Sequence, residues 1–146
     1  MSATTIVSER NTFRSVRSGA IAGLGGGVIF GMLMGMMGML PMVGMLVGQE
    51  NALVGLIVHM VISAFIGGTY GVVAERLPVG WPPAVIGGMV NGVVWWVLGA
   101  LILMPLGLGM TQMILVIGQP QWMSLMGHII YGVVTGLLFV PLNKRR

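Results

Sequence analysis

The sequence predicts an all-α, polytopic membrane protein: a four-helix transmembrane bundle built from two parallel-topology two-helix repeats. Three observations predict it. Hydrophobic residues make up 56% of the 146 and charged residues 7%, with a mean hydropathy of +0.99, whereas about a quarter of an ordinary soluble domain is charged. Four apolar runs, each close to the ~20 residues that cross a bilayer core, are separated by short polar or proline-bearing segments. The two histidines stand in matching stripes, Gly55-x3-His59-x3-Ser63-x3-Gly67-x3-Gly71 and Ser124-x3-His128-x3-Gly132-x3-Gly136. A spacing of four keeps each stripe on one helix face.

Residues 1–18 form a cytoplasmic N-terminal segment. Arg10, Arg14 and Arg17 recur at helical spacing opposite Phe13 and Val16, as on a helix resting against anionic lipid or on a plain charged anchor. The first span, about 19–40, carries a glycine ladder, Gly19, Gly23, Gly27, Gly31 and Gly35, with Gly25, Gly26 and Gly38 besides. A row of glycines lets another backbone approach, so this face is expected to hold the closest helix contact. Pro41 is expected to end the span. A short interfacial segment, 41–50, leads to the second span, about 52–74, which carries the first histidine. Together these make a first repeat over 19–76.

Residues 77–83, with Pro78, Pro82 and Pro83, form the inner turn, and Trp81 is an interfacial anchor. The second repeat, 84–142, begins with a third span, about 84–104, that matches the first when Ala20 is laid on Ala84, Gly23 on Gly87, Gly35 on Gly99 and Pro41 on Pro105. Where the first span has Gly27 and Gly31, the third has Asn91 and Trp95. An outer connection, 105–121, precedes the fourth span, about 122–142, which holds the second histidine. Residues 143–146 are a basic cytoplasmic tail. Each repeat holds an even number of spans, so the two insert in the same orientation and their histidines share a depth.

The charges agree with this topology. The net charge is +4, but Arg10, Arg14, Arg17, Arg76, Lys144, Arg145 and Arg146 all fall on one side of a four-span layout, and the other side carries only Glu50. The positive-inside rule then places both termini in the cytoplasm of a prokaryotic inner membrane and makes nucleic acid an unneeded explanation. Cysteine is absent, which removes disulfides and thiolate metal sites. There is no aspartate, and Glu9, Glu50 and Glu75 lie outside or at the ends of the spans. Carboxylate-pair catalysis and an intramembrane acidic relay have no residues to use.

The intramembrane histidines are the main candidates for function. His59 and His128, at one depth, can be axial ligands to a haem b iron between them, or one of them can hold a chlorophyll-type pigment. The structural alternative is that each imidazole hydrogen-bonds a neighbouring helix through a carbonyl freed near Pro41 or Pro105. Trp95 and Trp96, mid-span, can stack on a cofactor or fill the volume opposite the first span's glycines. Ser63, Gly67, Gly71, Gly132 and Gly136 join the glycine ladder as helix-packing positions. The fifteen methionines, Met32, Met36 and Met39 among them, can offer thioether sulfur to Cu(I), although apolar filling is their usual role. His59 and Ser63 share one helix without a nucleophile-elbow context, and Gly25-Gly26-Gly27 lacks the Lys-Ser/Thr of a phosphate loop, so neither hydrolysis nor nucleotide binding is expected.

The repeated pattern His59-x3-Ser63-x3-Gly67-x2-Tyr70 and His128-x3-Gly132-x3-Gly136-x2-Phe139 resembles that of small, largely uncharacterised prokaryotic four-helix membrane proteins. The resemblance covers mainly the second and fourth helices and implies no activity. The residues themselves suggest a non-catalytic subunit of a larger respiratory or photosynthetic membrane complex, in contact with lipid and with other membrane subunits, that has room for a tetrapyrrole. An independent bis-histidine haem b electron carrier and a small metal or solute transporter are the alternatives.

Overall fold

The computed structural model describes the backbone from Ala3 to Asn143 and side chains from Thr12 to Asn143; the side chain of Arg10 and residues Lys144, Arg145 and Arg146 lie outside the described residues. The long elements are α1 (Ala3–Met36), α3 (Ala52–Ala74), α4 (Trp81–Trp95) and α6 (Gln119–Leu142). A short α2 (Leu40–Gly44) follows α1, and α4 continues through a π-helical stretch, Trp96–Leu103, into α5 (Met104–Gly107). Four helical stretches are long and apolar enough to cross a membrane: Thr12–Met36, Ala52–Ala74, Trp81–Gly107 and Gln119–Leu142. The chain is thus all-helical among the described residues and a multi-pass membrane protein.

No break separates residues 3–18 from the first span, because α1 runs through both. Ser15 and Ser18 are buried. Ser18 donates to the carbonyl of Leu142 at 3.2 Å, and Thr12 donates to Oε2 of Glu75 at 3.1 Å, so this end of α1 is tied to the ends of α3 and α6.

Pro41 does not end the first span. Gly38 ends it, taking a left-handed φ of 67°. The amide of Gly38 donates to the Gly35 carbonyl, and that of Met39 to the Met34 carbonyl, the paired bonds of a Schellman stop. Pro41 instead opens α2, where its missing N–H costs nothing. The third span ends the same way at Gly109 (φ 71°), with Gly109 donating to Leu106 and Met110 to Pro105. Pro105 therefore sits inside the helical run. A proline has no N–H for the carbonyl four residues back, and that carbonyl, on Leu101, accepts from the amide of Leu115 at 3.0 Å. The carbonyl freed by Pro105 thus binds the outer connection and not a histidine.

The glycines decide which helices touch. A Cβ on Gly19, Gly23 or Gly27 would strike α3 at Gly67 and Gly71, at Ser63 and Gly67, or at Ser63. Gly25 and Gly26 face the other way, toward Leu138 and toward Tyr131 and Thr135 of α6. The triple glycine thus gives α1 two close faces. On the far side, Gly88 meets Gly132 and Gly136, Gly92 meets the His128 carbonyl, and Gly136 meets Ala84, joining α4 to α6. Gly31 contacts only the side chains of Leu56 and His59, and Gly35 only Leu40. The ladder therefore works as a backbone groove at Gly19 and Gly23 and makes space for side chains from Gly27 onward.

Candidate intramembrane binding site

His59 lies on α3 with 7% of its surface exposed. Its Nε2 donates across the interface to the Gly27 carbonyl of α1 at 3.0 Å, and Ser63 Oγ lies 3.4 Å from the same nitrogen. His128, on α6, turns back instead. Its Nδ1 donates to the carbonyl of Ser124, one turn earlier on the same helix, at 2.8 Å, with Ser124 Oγ at 3.4 Å. Neither acceptor is a carbonyl near Pro41, and only His59 reaches another helix. The two histidines occupy equivalent places in their stripes but make opposite uses of the ring.

These bonds assign the ring hydrogens. A carbonyl oxygen can only accept, and a neutral imidazole has one N–H. His59 is therefore the Nε2–H tautomer, with its lone pair on Nδ1 beside its own backbone. His128 is the Nδ1–H tautomer, with its lone pair on Nε2 at the tip of the ring. The spans contain no Asp or Glu to balance a second proton on either ring.

Phe30 of α1 packs against both histidines. Its ring centroid is 5.3 Å from that of His59 and 4.9 Å from that of His128, both edge to face. Gly127 makes the space, since a Cβ there would collide with the Phe30 ring. Two imidazoles that ligate one iron need their nitrogens about 4 Å apart on either side of a flat macrocycle. In this structure His59 Nε2 is engaged by the Gly27 carbonyl and Phe30 packs against both rings, contacts that ligation of one iron by both rings would have to replace.

Beside the histidines lies a cavity of about 290 Å³, at the lower edge of the ~300–1,000 Å³ common for small-molecule sites. Its polar atoms come from His59, Ser63, Ser124, His128 and Tyr131, and much of the rest is apolar, Met34, Met39 and Met104 included. Ile62 and Phe65 of α3 and Leu103 of the π-helical stretch also line it. All three are exposed on the outside of the bundle, Phe65 by 62% and Leu103 by 56%, so the cavity reaches the lipid-facing surface between α3 and the third span. Here α3 and α4 touch sparsely, and the π-helical turn brings Gly99 and Ala100 to the wall. Such turns are often found at functional sites.

The two tryptophans part company. Trp95 lines the cavity, donates from Nε1 to Thr69 Oγ1 at 3.3 Å and meets Phe65 edge to face at 5.6 Å. Trp96 leaves the cavity, donates to the Gln121 carbonyl at 3.0 Å and stacks on Trp122 at 6.2 Å, where it holds the start of α6. Neither ring lies opposite the glycines of α1; the α3 backbone fills that groove. Met32 and Met36 are exposed by 62% and 85%, so this methionine pair faces out of the bundle. Among the described residues no group of three or more His, Cys, Asp or Glu side chains could hold a metal ion.

Two residues of the site were not evident from the stripes. Tyr131 donates to the Ser63 carbonyl at 2.7 Å, passing beside Gly23; its place one turn after His128 is the signal for it. Phe30 is the lone aromatic in a glycine-rich span, and that contrast is its only mark in the sequence. No protein-family model, no curated protein and no solved structure matches this chain.

Proposed function

We propose that the chain is a non-catalytic membrane subunit that holds a small apolar molecule, taken sideways from the bilayer, in the cavity beside His59 and His128. The observation that carries this reading is the cavity itself: enclosed by aromatic and aliphatic side chains, provided with a few polar groups, and open toward lipid between Phe65 and Leu103. A site of that make-up binds and orients a ligand. It offers no acid, thiol or activated nucleophile for a reaction.

The subunit is proposed to work within a larger energy-transducing complex of a prokaryotic cytoplasmic membrane, with both termini in the cytoplasm. Arg14, Arg17 and Arg76 lie at the end of the bundle where Thr12 meets Glu75 and Ser18 meets Leu142, and Glu50 at the other, in line with the positive-inside rule. The two halves are proposed to be parallel repeats in a register one residue from the sequence match. Gly23 meets Ser63 and Gly67 where Gly88, not Gly87, meets Gly132 and Gly136. A bis-histidine electron carrier is the weaker reading, because His59 Nε2 is already bonded to the Gly27 carbonyl.

The test is to purify the protein in mild detergent from its native membrane, extract it with organic solvent and identify what it retained by mass spectrometry and absorption. A stoichiometric apolar molecule that is lost when Ala100→Trp fills the cavity supports the reading. A folded protein with only bulk lipid in the extract, unchanged by that substitution, would sink it. Blue native electrophoresis of the solubilised membrane tests the assembly: migration as a free monomer counts against a subunit role.

A further inference from the structure

Building on the cavity as a binding site, we infer that its occupant is a single planar ring with a phenolic hydroxyl, a phenol or the reduced form of a quinone, which donates its hydrogen bond to Nε2 of His128. Three observations lead there. The first is the tautomer. Nδ1 of His128 spends the ring's hydrogen on Ser124, so the nitrogen at the ring tip can only accept. His59 is arranged the other way, its tip bonded to Gly27 and its lone pair beside its own helix. The free lone pair of the site is therefore the one on His128.

The second observation is which donors are already engaged. Tyr131 gives its hydroxyl hydrogen to the Ser63 carbonyl, and Trp95 gives its indole hydrogen to Thr69. Ser63 Oγ and Ser124 Oγ each lie 3.4 Å from a protonated ring nitrogen, from which the hydroxyl oxygen accepts while its own hydrogen stays available. A ligand that is purely an acceptor, such as a quinone carbonyl or an ether, finds the aromatic donors occupied and only these serine hydroxyls to bind, and it leaves the His128 lone pair unmet. A ligand that brings an O–H completes the His128 ring.

The third observation is size and shape. An apolar cavity of about 150 Å³ holds benzene, and this one is about 290 Å³, enough for one substituted ring and the first carbons of a tail. Phe30 and Trp95 provide flat walls, and the opening between Phe65 and Leu103 lets a tail run out into lipid.

The test uses the full chain in nanodiscs with a phenol and its methyl ether, 4-hexylphenol and 4-hexylanisole, which keep the same ring and tail and differ in the O–H donor, with binding measured by equilibrium dialysis against empty nanodiscs. The phenol should bind roughly three- to tenfold more tightly, the worth of one net hydrogen bond, and His128→Phe should remove the difference while both still bind. Equal binding of the pair to the wild type, or a phenol preference that survives in His128→Phe, overturns the inference and leaves the cavity reading intact. Saturable binding of neither compound to the folded protein overturns the cavity reading itself. Nitrogen-15 NMR of histidine-labelled wild-type protein gives a check that needs no variant: a hydrogen found on Nε2 of His128 in place of Nδ1 also overturns the inference.

Discussion

Tyr70 and Phe139, the aromatics that end the two histidine stripes, meet edge to face with ring centroids 5.3 Å apart. Both are buried, and Ala22 and Ala74 pack around them. The stripes therefore touch directly at their aromatic ends, whereas at their histidine ends Phe30 of α1 packs against both rings. The Tyr70 hydroxyl also donates to the Ala84 carbonyl at 2.6 Å, which ties α3 to the start of the third span. The cavity lies beside the histidine ends, away from the positions where glycines bring backbones together.

Phe139→Ala removes one ring of that pair and is expected to destabilise the protein by about 3 kcal/mol, mainly through lost packing contacts. Tyr70→Phe keeps the ring and loses only the hydrogen bond, at about 1 kcal/mol. Reversible unfolding in mixed micelles measures both. The double variant Tyr70→Ala/Phe139→Ala should cost less than the two single alanine changes together, by the ~0.5–1.5 kcal/mol typical of an aromatic pair. Strict additivity would mean that the rings do not interact.

The glycines separate into two classes that mutagenesis can tell apart. Gly67→Ala and Gly132→Ala each place a methyl group against the backbone of the facing helix, at Gly19 and Gly23 or at Gly88. Backbone cannot yield as a flexible side chain does, so each is expected to cost about 1–3 kcal/mol. Gly35→Ala meets only Leu40 at 3.6 Å, an ordinary contact, and Gly99→Ala meets nothing within 4 Å. These two should be neutral, or stabilising by up to about 1 kcal/mol through the lower backbone entropy of alanine. A loss at Gly35 as large as that at Gly67 would show that an i+4 glycine row packs uniformly along α1.

Much of the architecture was legible from composition and spacing, because a bilayer demands ~20 apolar residues per crossing whatever their identity. The second span, expected over about 52–74, is observed as Ala52–Ala74. Its start is fixed by Asn51, whose side chain accepts from the amides of Leu53 and Val54. The misjudged positions were prolines and rings. Pro41 and Pro105 looked like stops because proline breaks helices, but Gly38 and Gly109 supply the left-handed residue that a Schellman stop requires. The partners of Trp95, Trp96 and Phe30 depend on how helices rotate about their axes, which no periodicity within one helix records. The histidine tautomers likewise depend on which carbonyl each ring reaches.

That difference between the histidines predicts unequal costs for their removal. His59→Ala severs a bond between α3 and α1 and empties space beside Gly31, so a loss of about 2 kcal/mol is expected. His128→Ala removes a bond internal to α6 and vacates a ring that already borders the cavity, so it should cost under about 1 kcal/mol. Unfolding of both variants under identical micelle conditions checks the order. If His128→Ala proved the more damaging, its ring would be a structural strut and not a cavity wall.

Pro105 offers a test of how the π-helical stretch is joined to the outer connection. Because residue 105 has no N–H, the Leu101 carbonyl is available to the amide of Leu115, a non-glycine residue held at a φ of 58°, which costs backbone strain of order 1 kcal/mol or more. Pro105→Ala restores an N–H that competes for the same carbonyl. Leu115 should then lose its acceptor and relax out of the left-handed region, and its amide should exchange with deuterium at least tenfold faster, while amides of α3 exchange as before. Leu103 lines the cavity within the same stretch, so the substitution should also alter uptake of a ring ligand at that opening. Unchanged protection at Leu115 would mean that the connection is held by its own turns, such as Thr111–Met113, and that Pro105 serves only to bend the span.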